Sequence, residues 1–317
     1  MHLWGMITIR FFDLHTDTLY KSLQENKNLF DNDLHVSGKK LSLYSPCIVC
    51  FAVWIPDNVR GQEAVYLLEA AFDRLNQQVN EYDSKFKICT SANDIKNLNG
   101  KVGIIFTVEG GAALNGKIEN LKLLQNFGVK MMTLTWNGAC ELGDGSGVDF
   151  AKGLTPFGKK AVCEMQQKNI IVDLSHASEK LFYDVCEIAT KPFVLSHSNS
   201  KKICNHVRNI TDDQFLCVKQ ASGLVGVTFC KDFLSDTPQN GFESVLRHIE
   251  HFLELGGENN LSIGSDFDGA DLPAEIKGAE SVENLFEFLL QKNYSEALLN
   301  KIFFDNAYNF ILKFLEV

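Results

Sequence analysis

Short, mostly apolar runs rich in β-branched residues alternate along this chain with longer, mixed polar and apolar stretches of helical character. The apolar runs predict strands at Ile7–Leu14, Cys47–Trp54, Val102–Val108, Lys130–Thr135, Ile170–Leu174, Phe193–Ser196, Leu224–Thr228 and Leu261–Gly264. Several are apolar nearly throughout, as strands buried on both faces are. The mixed stretches predict helices at Gly61–Tyr82, Lys117–Asn126, Pro156–Lys168, Glu179–Ala189, Thr211–Ala221, Phe242–Leu255 and Ser281–Gln291, with Ser295–Phe304 as a final helix. Their boundaries carry signals. Thr155 stands before Pro156 and Ser178 before Glu179, as N-caps do. Thr211 and Gln214 have capping-box spacing. Asn126–Gly128 and Leu255–Gly257 read as helix stops.

This alternation predicts an α/β protein built from βαβ units. Eight strands with returning helices predict a single (β/α)8 TIM barrel domain over residues 1–317, of the metal-dependent hydrolase type. A doubly wound sheet is the alternative. It does not readily bring the first and last strands to one site, whereas barrel closure sets them side by side. Two connections are long, Thr16–Pro46 and Trp136–Thr155. Both leave the C-terminal ends of strands and are expected to wall a substrate pocket.

Composition changes this picture little. The chain has 317 residues, 45% hydrophobic and 22% charged, with a formal net charge of -10. An acidic chain without a basic tail is not expected to bind nucleic acid. It has no apolar run of about 18 residues, so no membrane span is expected. Met1–Ile9 lacks a positive region before a cleavage site and is a poor secretory signal. Met6 is an alternative start, with Met1–Gly5 an extension. The 9 cysteines are odd in number, and many sit in apolar segments. They are expected to be thiols of a reducing, cytoplasmic compartment. Cys47 and Cys50 have C-x-x-C spacing within a strand, where they do not share a face, so neither a redox pair nor a zinc knuckle is expected.

The chemistry lies just after the strands. His15 and Asp17 are two residues apart at the end of the first, where alternate side chains face the same way. Imidazole and carboxylate suit Zn²⁺, Mn²⁺ or Fe²⁺. Glu109 follows Val102–Val108 and can either bridge two cations or cap the next segment. His176 and His197 end successive strands among small polar residues and can ligate one metal together. Asp266 and Asp268 lie in Gly264–Gly269, either a plain turn or the seat of a general base. His248 and His251 lie on a helix without a nearby metalloprotease glutamate and read as structural, while His35 and His206 stay ambiguous. No dinucleotide, Walker or nucleophile-elbow motif is present.

Six segments, in their order and separation, carry a family likeness: Asp13–Asp17, Val108–Gly111, Asp173–His176, Ser196–Asn199, Arg208–Asp213 and Gly264–Gly269. Together they resemble the membrane dipeptidase (renal dipeptidase) family, peptidase family M19, in a bacterial-type form. The resemblance runs from about residue 11 to the C-terminus. It implies a binuclear zinc dipeptidase, with two Zn²⁺ per chain and Mn²⁺ or Co²⁺ as substitutes. By that likeness His15 and Asp17 hold the first zinc, Glu109 is shared, and His176 and His197 hold the second. Asp266 resembles the residue that deprotonates the bridging water, and Arg208 the arginine that grips the C-terminal carboxylate of a dipeptide. Asp13 or a backbone carbonyl is expected to orient His15. A homodimer would fit the family, though no stripe in the sequence marks one.

One motif departs. Mammalian members carry Leu-Thr-His after the fourth strand, and that histidine contacts substrate near the scissile carbonyl. Here Leu134-Thr135 is followed by Trp136-Asn137. Both are expected to touch substrate, and oxyanion stabilisation falls to a metal or to Asn137. The rival expectation is another binuclear amidohydrolase acting on N-acyl amino acids, cyclic amides or lactones, because barrel and metals do not select among these. A non-catalytic barrel would have eroded metal residues, and these are intact.

Overall fold

The computed structural model describes residues 8–235 and 241–316. Its strands are β1 (Phe11–Thr16), β2 (Cys47–Trp54), β3 (Phe86–Ile88), β4 (Val102–Glu109), β5 (Met131–Thr133), β6 (Ile171–Asp173), β7 (Val194–Leu195), β8 (Leu224–Val227) and β9 (Leu261–Ile263). They pair in parallel in the order β2-β1-β9-β8-β7-β6-β5-β4, and β4 pairs back with β2. The result is a closed eight-stranded barrel wrapped by helices, as the alternation of elements predicts.

β3 is the strand that the sequence pattern does not show. It is three residues long and pairs Phe86–Ile88 with the start of β4. β2 takes one edge of β4 along nearly its whole length. The other edge is shared, with β3 at Val102–Ile104 and β5 at Thr107–Glu109. The first strand also differs from expectation. It begins at Phe11 and runs on to Thr16, past Leu14. Ile7 lies outside the described residues. Several later strands end one or two residues before the expected positions.

Two apolar layers follow from strand alternation. Phe12, Ile48, Ile105, Met131, Ile171, Val194 and Leu224 come from seven different strands yet form one cluster. Only the barrel interior can bring them together. Phe310, Ile311 and Phe314 of the C-terminal helix join this cluster and close the N-terminal mouth of the barrel. The opposite strand faces pack outward, as Val49, Phe51, Ile104 and Phe106 do, against helix stripes such as Ala64, Leu68, Ala71 and Leu75. Cys47 belongs to the outer layer and Cys50 to the inner one, so the C-x-x-C pair does split across faces. No helix among the described residues is long and apolar enough to cross a membrane.

The seven crossover helices, from Gln62–Glu81 to Val282–Gln291, lie where the sequence places them. The caps form as their spacing predicts. Thr155 accepts from Gly158 N, Ser178 from Leu181 N, and Thr211 and Gln214 bond reciprocally. The final helix departs from expectation. It is α-helical over Glu296–Asn300, widens into a π turn over Lys301–Asp305, and continues as Asn306–Leu315. The wide turn lets Phe303 face the outer core and Phe304 the barrel interior.

Both long connections rise from the C-terminal rim. Thr16–Pro46 contains helices Thr18–Gln24 and Gly38–Leu41. Asp268 anchors it, accepting from His35 N at 2.7 Å and Thr18 Oγ1 at 2.6 Å. Trp136–Thr155 has no helix, and Asp57 holds it by accepting from Gly138 N at 2.7 Å.

Candidate metal centre

Strand register brings the candidate ligands level. Trp54 lies opposite Glu109, Glu109 opposite Thr133, and Thr133 opposite Asp173. His15 is the penultimate residue of β1, and Glu109 the last of β4. His176, His197 and Asp266 follow within three residues of the ends of β6, β7 and β9. All lie at the C-terminal mouth, and His15, Asp17, Glu109, His176 and His197 are at least 93% buried. So many polar groups removed from water require close mutual pairing or a cation.

Their geometry divides into two linked groups. His15 Nε2 lies 3.3 Å from Asp17 Oδ2 and 3.7 Å from Glu109 Oε2. On the other side, Glu109 Oε1 lies 2.7 Å from His176 Nε2 and 3.5 Å from His197 Nε2. The two Nε2 atoms are themselves 2.8 Å apart. One carboxylate thus offers one oxygen to each group. Asp266 meets His15 and His197 in a third cluster, with ligand atoms within 4.8 Å of one another.

The Nδ1 atoms decide how these rings are used. His176 Nδ1 lies 2.8 Å from Asn137 Oδ1, and His197 Nδ1 lies 2.9 Å from Ser196 Oγ. Ser196 Oγ donates onward to Asp173 Oδ2 at 2.6 Å. Its lone pair therefore accepts from His197 Nδ1–H. With both Nδ1 atoms protonated, two Nε2 lone pairs face each other at 2.8 Å beside a carboxylate. Such an array is repulsive by itself and is reconciled by a cation between the donors. Asp17 Oδ1 is also buried without a hydrogen-bond partner. The donor set, imidazole nitrogen and carboxylate oxygen, suits Zn²⁺ and its neighbours. The residues present therefore fit a divalent metal centre.

Electrostatics agree with this. Burial, together with the Arg208 and His15 charges, holds His176 well below the usual imidazole range, and burial with the His15 charge does the same to His197. Neutral imidazole is the ligand form. Burial raises Glu109 well above the carboxylate range, and the Asp17 and Asp266 charges add to it. Burial opposes a charge on His15, but Glu109 and Asp17 outweigh it and push its pKa up to about 10. Burial and the Asp17 charge raise Asp266 to about 7. A metal-free centre therefore holds protons that cations would displace.

The backbone here is unusual. His176 and Asp266 have φ of 68° and 63°, left-handed values that non-glycine residues adopt at a cost. His176 is held by Ser146 N and Thr135 Oγ1, which both donate to its carbonyl. Asp266 is held by its N–H, which donates to His15 O.

The remaining expected residues surround the centre. Arg208 is buried, donates from Nη2 to His197 O at 3.3 Å, and lies over the Phe233 ring. Among the described residues no carboxylate lies within 4.0 Å of it, and its Nε is buried without a partner. Trp136 stands 6.1 Å from the His176 ring and 4.9 Å from Trp54, which in turn meets Tyr20 at 5.3 Å. Asn137 Oδ1 lies 2.8 Å from His176 Nδ1. Asp13 supports His15 through its backbone N–H, not its ring, and also accepts from Ser265 N.

The other histidines among the described residues have partners. His248 accepts from Ser200 N and bonds Leu234 O, and His251 bonds Asp212. His35 accepts from Asp268 N, and His206 stacks on Phe233. The sequence reading missed the supporting carboxylate Asp173 and the Ser196 relay. A signal was there, since Asp13 and Asp173 each stand two residues before a rim residue whose backbone N–H they accept.

A family model described as membrane dipeptidase, peptidase family M19, matches residues 6–313. An uncharacterized protein in the pqqA 5' region of Klebsiella pneumoniae is 30% identical over 247 residues, 73% of this chain and 90% of its own length. Dipeptidase 3 of Mus musculus is 28% identical over 264 residues, 81% of this chain. The chain spans about half the length of that mouse protein, 53%. Among solved structures, dipeptidase AC, a metallopeptidase of family M19, has 27% identity and a TM-score of 0.92, with 98% of this chain and 100% of that one covered. A Rhodobacter sphaeroides metallopeptidase liganded with a phosphinate mimic of L-Ala-D-Ala has 26% identity and a TM-score of 0.90, with 96% and 99% covered.

Proposed function

The chain belongs to the membrane dipeptidase family, peptidase family M19, and from that premise we propose that it is a metal-dependent dipeptidase working through a binuclear centre. One observation carries the reading. The two oxygens of Glu109 face two separate groups of ligand atoms, His15 with Asp17 and His176 with His197. A carboxylate so placed is built to be shared between cations.

In this reading His15, Asp17 and Glu109 would hold one cation, and Glu109, His176 and His197 the other, with Zn²⁺ the metal that the donor set favours. Bound divalent cations would acidify water and polarise the scissile carbonyl. The protein supplies the rest. Asp266, raised to about 7, is the proton carrier at the mouth, taking a proton from water and returning it to the leaving amine. Arg208 lies buried beside the centre with no carboxylate partner among the described residues, and its fork fits a C-terminal carboxylate in bidentate fashion. Trp136, Trp54 and Tyr20 wall the mouth and exclude water from the amide. The relative that binds an L-Ala-D-Ala mimic motivates including a C-terminal D-residue among the substrates.

The test is metal content and hydrolysis of L-L and L-D dipeptides on one preparation. About two divalent ions per chain, with cleavage abolished by chelator and restored by Zn²⁺, supports the proposal. Two ions without dipeptide cleavage refutes the substrate class and directs the search to N-acyl amino acids, cyclic amides or lactones.

A further inference from the structure

Asn137 sits beside Trp136 on the long β5 connection, where a substrate contact is expected. The geometry gives its side chain another task. Its Oδ1 lies 2.8 Å from His176 Nδ1, while the opposite nitrogen of that ring, Nε2, lies 2.7 Å from Glu109 Oε1. An imidazole carries one bare nitrogen when neutral. An amide oxygen against Nδ1 keeps the proton there and leaves the Nε2 lone pair for the metal. The same loop segment binds His176 a second time, because Ser146 N donates to His176 O at 2.7 Å. His176 needs this support, since it stands in left-handed backbone with φ of 68°.

We infer that Asn137 is a positioning residue for the metal centre: it fixes the tautomer and ring plane of His176 and thereby ties the substrate-walling loop to the second cation. This rests on the dipeptidase reading only for the presence of the metal. It assigns Asn137 no contact with substrate. His197 has the corresponding partner in Ser196, backed by Asp173. The two ligands of one cation are thus oriented by different chemistry. One support comes from the barrel frame and the other from a loop. The loop itself is fastened by Asp57, which accepts from Gly138 N at 2.7 Å, and by Arg60, which donates to Ala139 O at 3.0 Å.

The test measures Zn²⁺ binding by chelator competition, and the electronic spectrum of the Co²⁺-loaded protein, on the parent and three variants. In Asn137→Ala one metal equivalent should bind about 10- to 100-fold less tightly, the usual effect of removing a partner behind a ligand. The other equivalent, held by His15 and Asp17, should keep about the parent affinity. Asn137→Asp still accepts from Nδ1–H and should keep both affinities. Asp57→Ala loosens the same loop without touching His176, and should also keep them. Parent-like metal binding in Asn137→Ala with only a raised KM overturns the inference and makes Asn137 a substrate contact. Equal loss of metal in Asp57→Ala also overturns it and assigns the effect to the loop as a whole. A parent that binds two ions yet cleaves no dipeptide refutes the proposed function and leaves this inference standing on the metal measurements.

Discussion

A Cβ placed on Gly269 would lie 2.1 Å from Asp17 Oδ2, so the turn after the last strand packs directly against a candidate ligand at the end of the first. The same Cβ would come within 2.5 Å of Asp266 Oδ1. Both carboxylates are short, buried and committed to the centre, so neither can swing aside without leaving it. Gly269→Ala should therefore fold but lose metal, with affinity for the cation at His15 and Asp17 reduced at least about 10-fold and a stability cost of about 1–3 kcal/mol. Metal titration with thermal unfolding of the metal-free protein separates the two effects. Parent-like metal affinity would show that Asp17 is not a ligand.

Asp266 sits where the two ligand groups meet, close to His15 and His197. Its proposed role is proton transfer rather than retention of metal. Asp266→Asn keeps the shape and removes the basicity. It should lower kcat by about 10²- to 10⁴-fold, the range of general acid–base groups. Both metal equivalents should remain bound, as measured by atomic emission on dialysed protein. An Asn variant that is fully active assigns the proton carrier elsewhere.

Arg208 gives a prediction that distinguishes substrate class. Its guanidinium is buried and, among the described residues, unpaired with any carboxylate within 4.0 Å. Losing a charge-assisted bond to substrate costs about 1.5–3 kcal/mol, or roughly 10- to 150-fold. Arg208→Ala should raise KM for dipeptides by that factor at unchanged metal content. Dipeptide amides lack the carboxylate, so the variant should treat them as the parent does. An equal loss on both substrates would mean that Arg208 holds the site together, through His197 O and Phe233, and does not read the substrate terminus.

The barrel was legible because its strands are apolar on both faces, and buried parallel strands write that pattern without interruption. The candidate site residues were legible because strand ends converge on one rim, which gathers His15, Asp17, Glu109, His176, His197 and Asp266 at the C-terminal mouth. Three features were not legible. β3 has only three residues, too few for a periodic signal. The π turn at Lys301–Asp305 shifts the apolar phase, so the helix seemed to end at Phe304 while it continues to Leu315. The role of Asn137 depends on which way a loop side chain turns, and spacing along the chain does not encode that. Asp268 is similar. It read as part of either a plain turn or the seat of a general base, and it fastens the first long loop through His35 and Thr18.

His248 offers a prediction outside the metal centre. Its ring is fully buried, accepts from Ser200 N at 3.1 Å through Nδ1 and donates to Leu234 O at 3.0 Å through Nε2. It thereby braces the loop that begins at His197. Both nitrogens are used in the neutral form, and burial lowers the pKa from 6.5 to about 4. Unfolded His248 takes up a proton as pH falls below 6.5, and folded His248 does not until pH nears 4. The stabilisation is thus complete above pH 6.5 and is lost as pH falls toward 4, with a slope approaching about 1.4 kcal/mol per pH unit for one proton. His248→Gln keeps a donor for Leu234 and cannot titrate. It should be less stable than the parent at pH 7, yet the gap should close on acidification, because only the parent carries this proton-linked loss. Urea unfolding of both proteins across pH 4.5–7, compared as a difference so that shared groups cancel, measures it. Parallel pH profiles would place the proton of His248 in the folded state already, and its bonds to Ser200 and Leu234 would need another explanation.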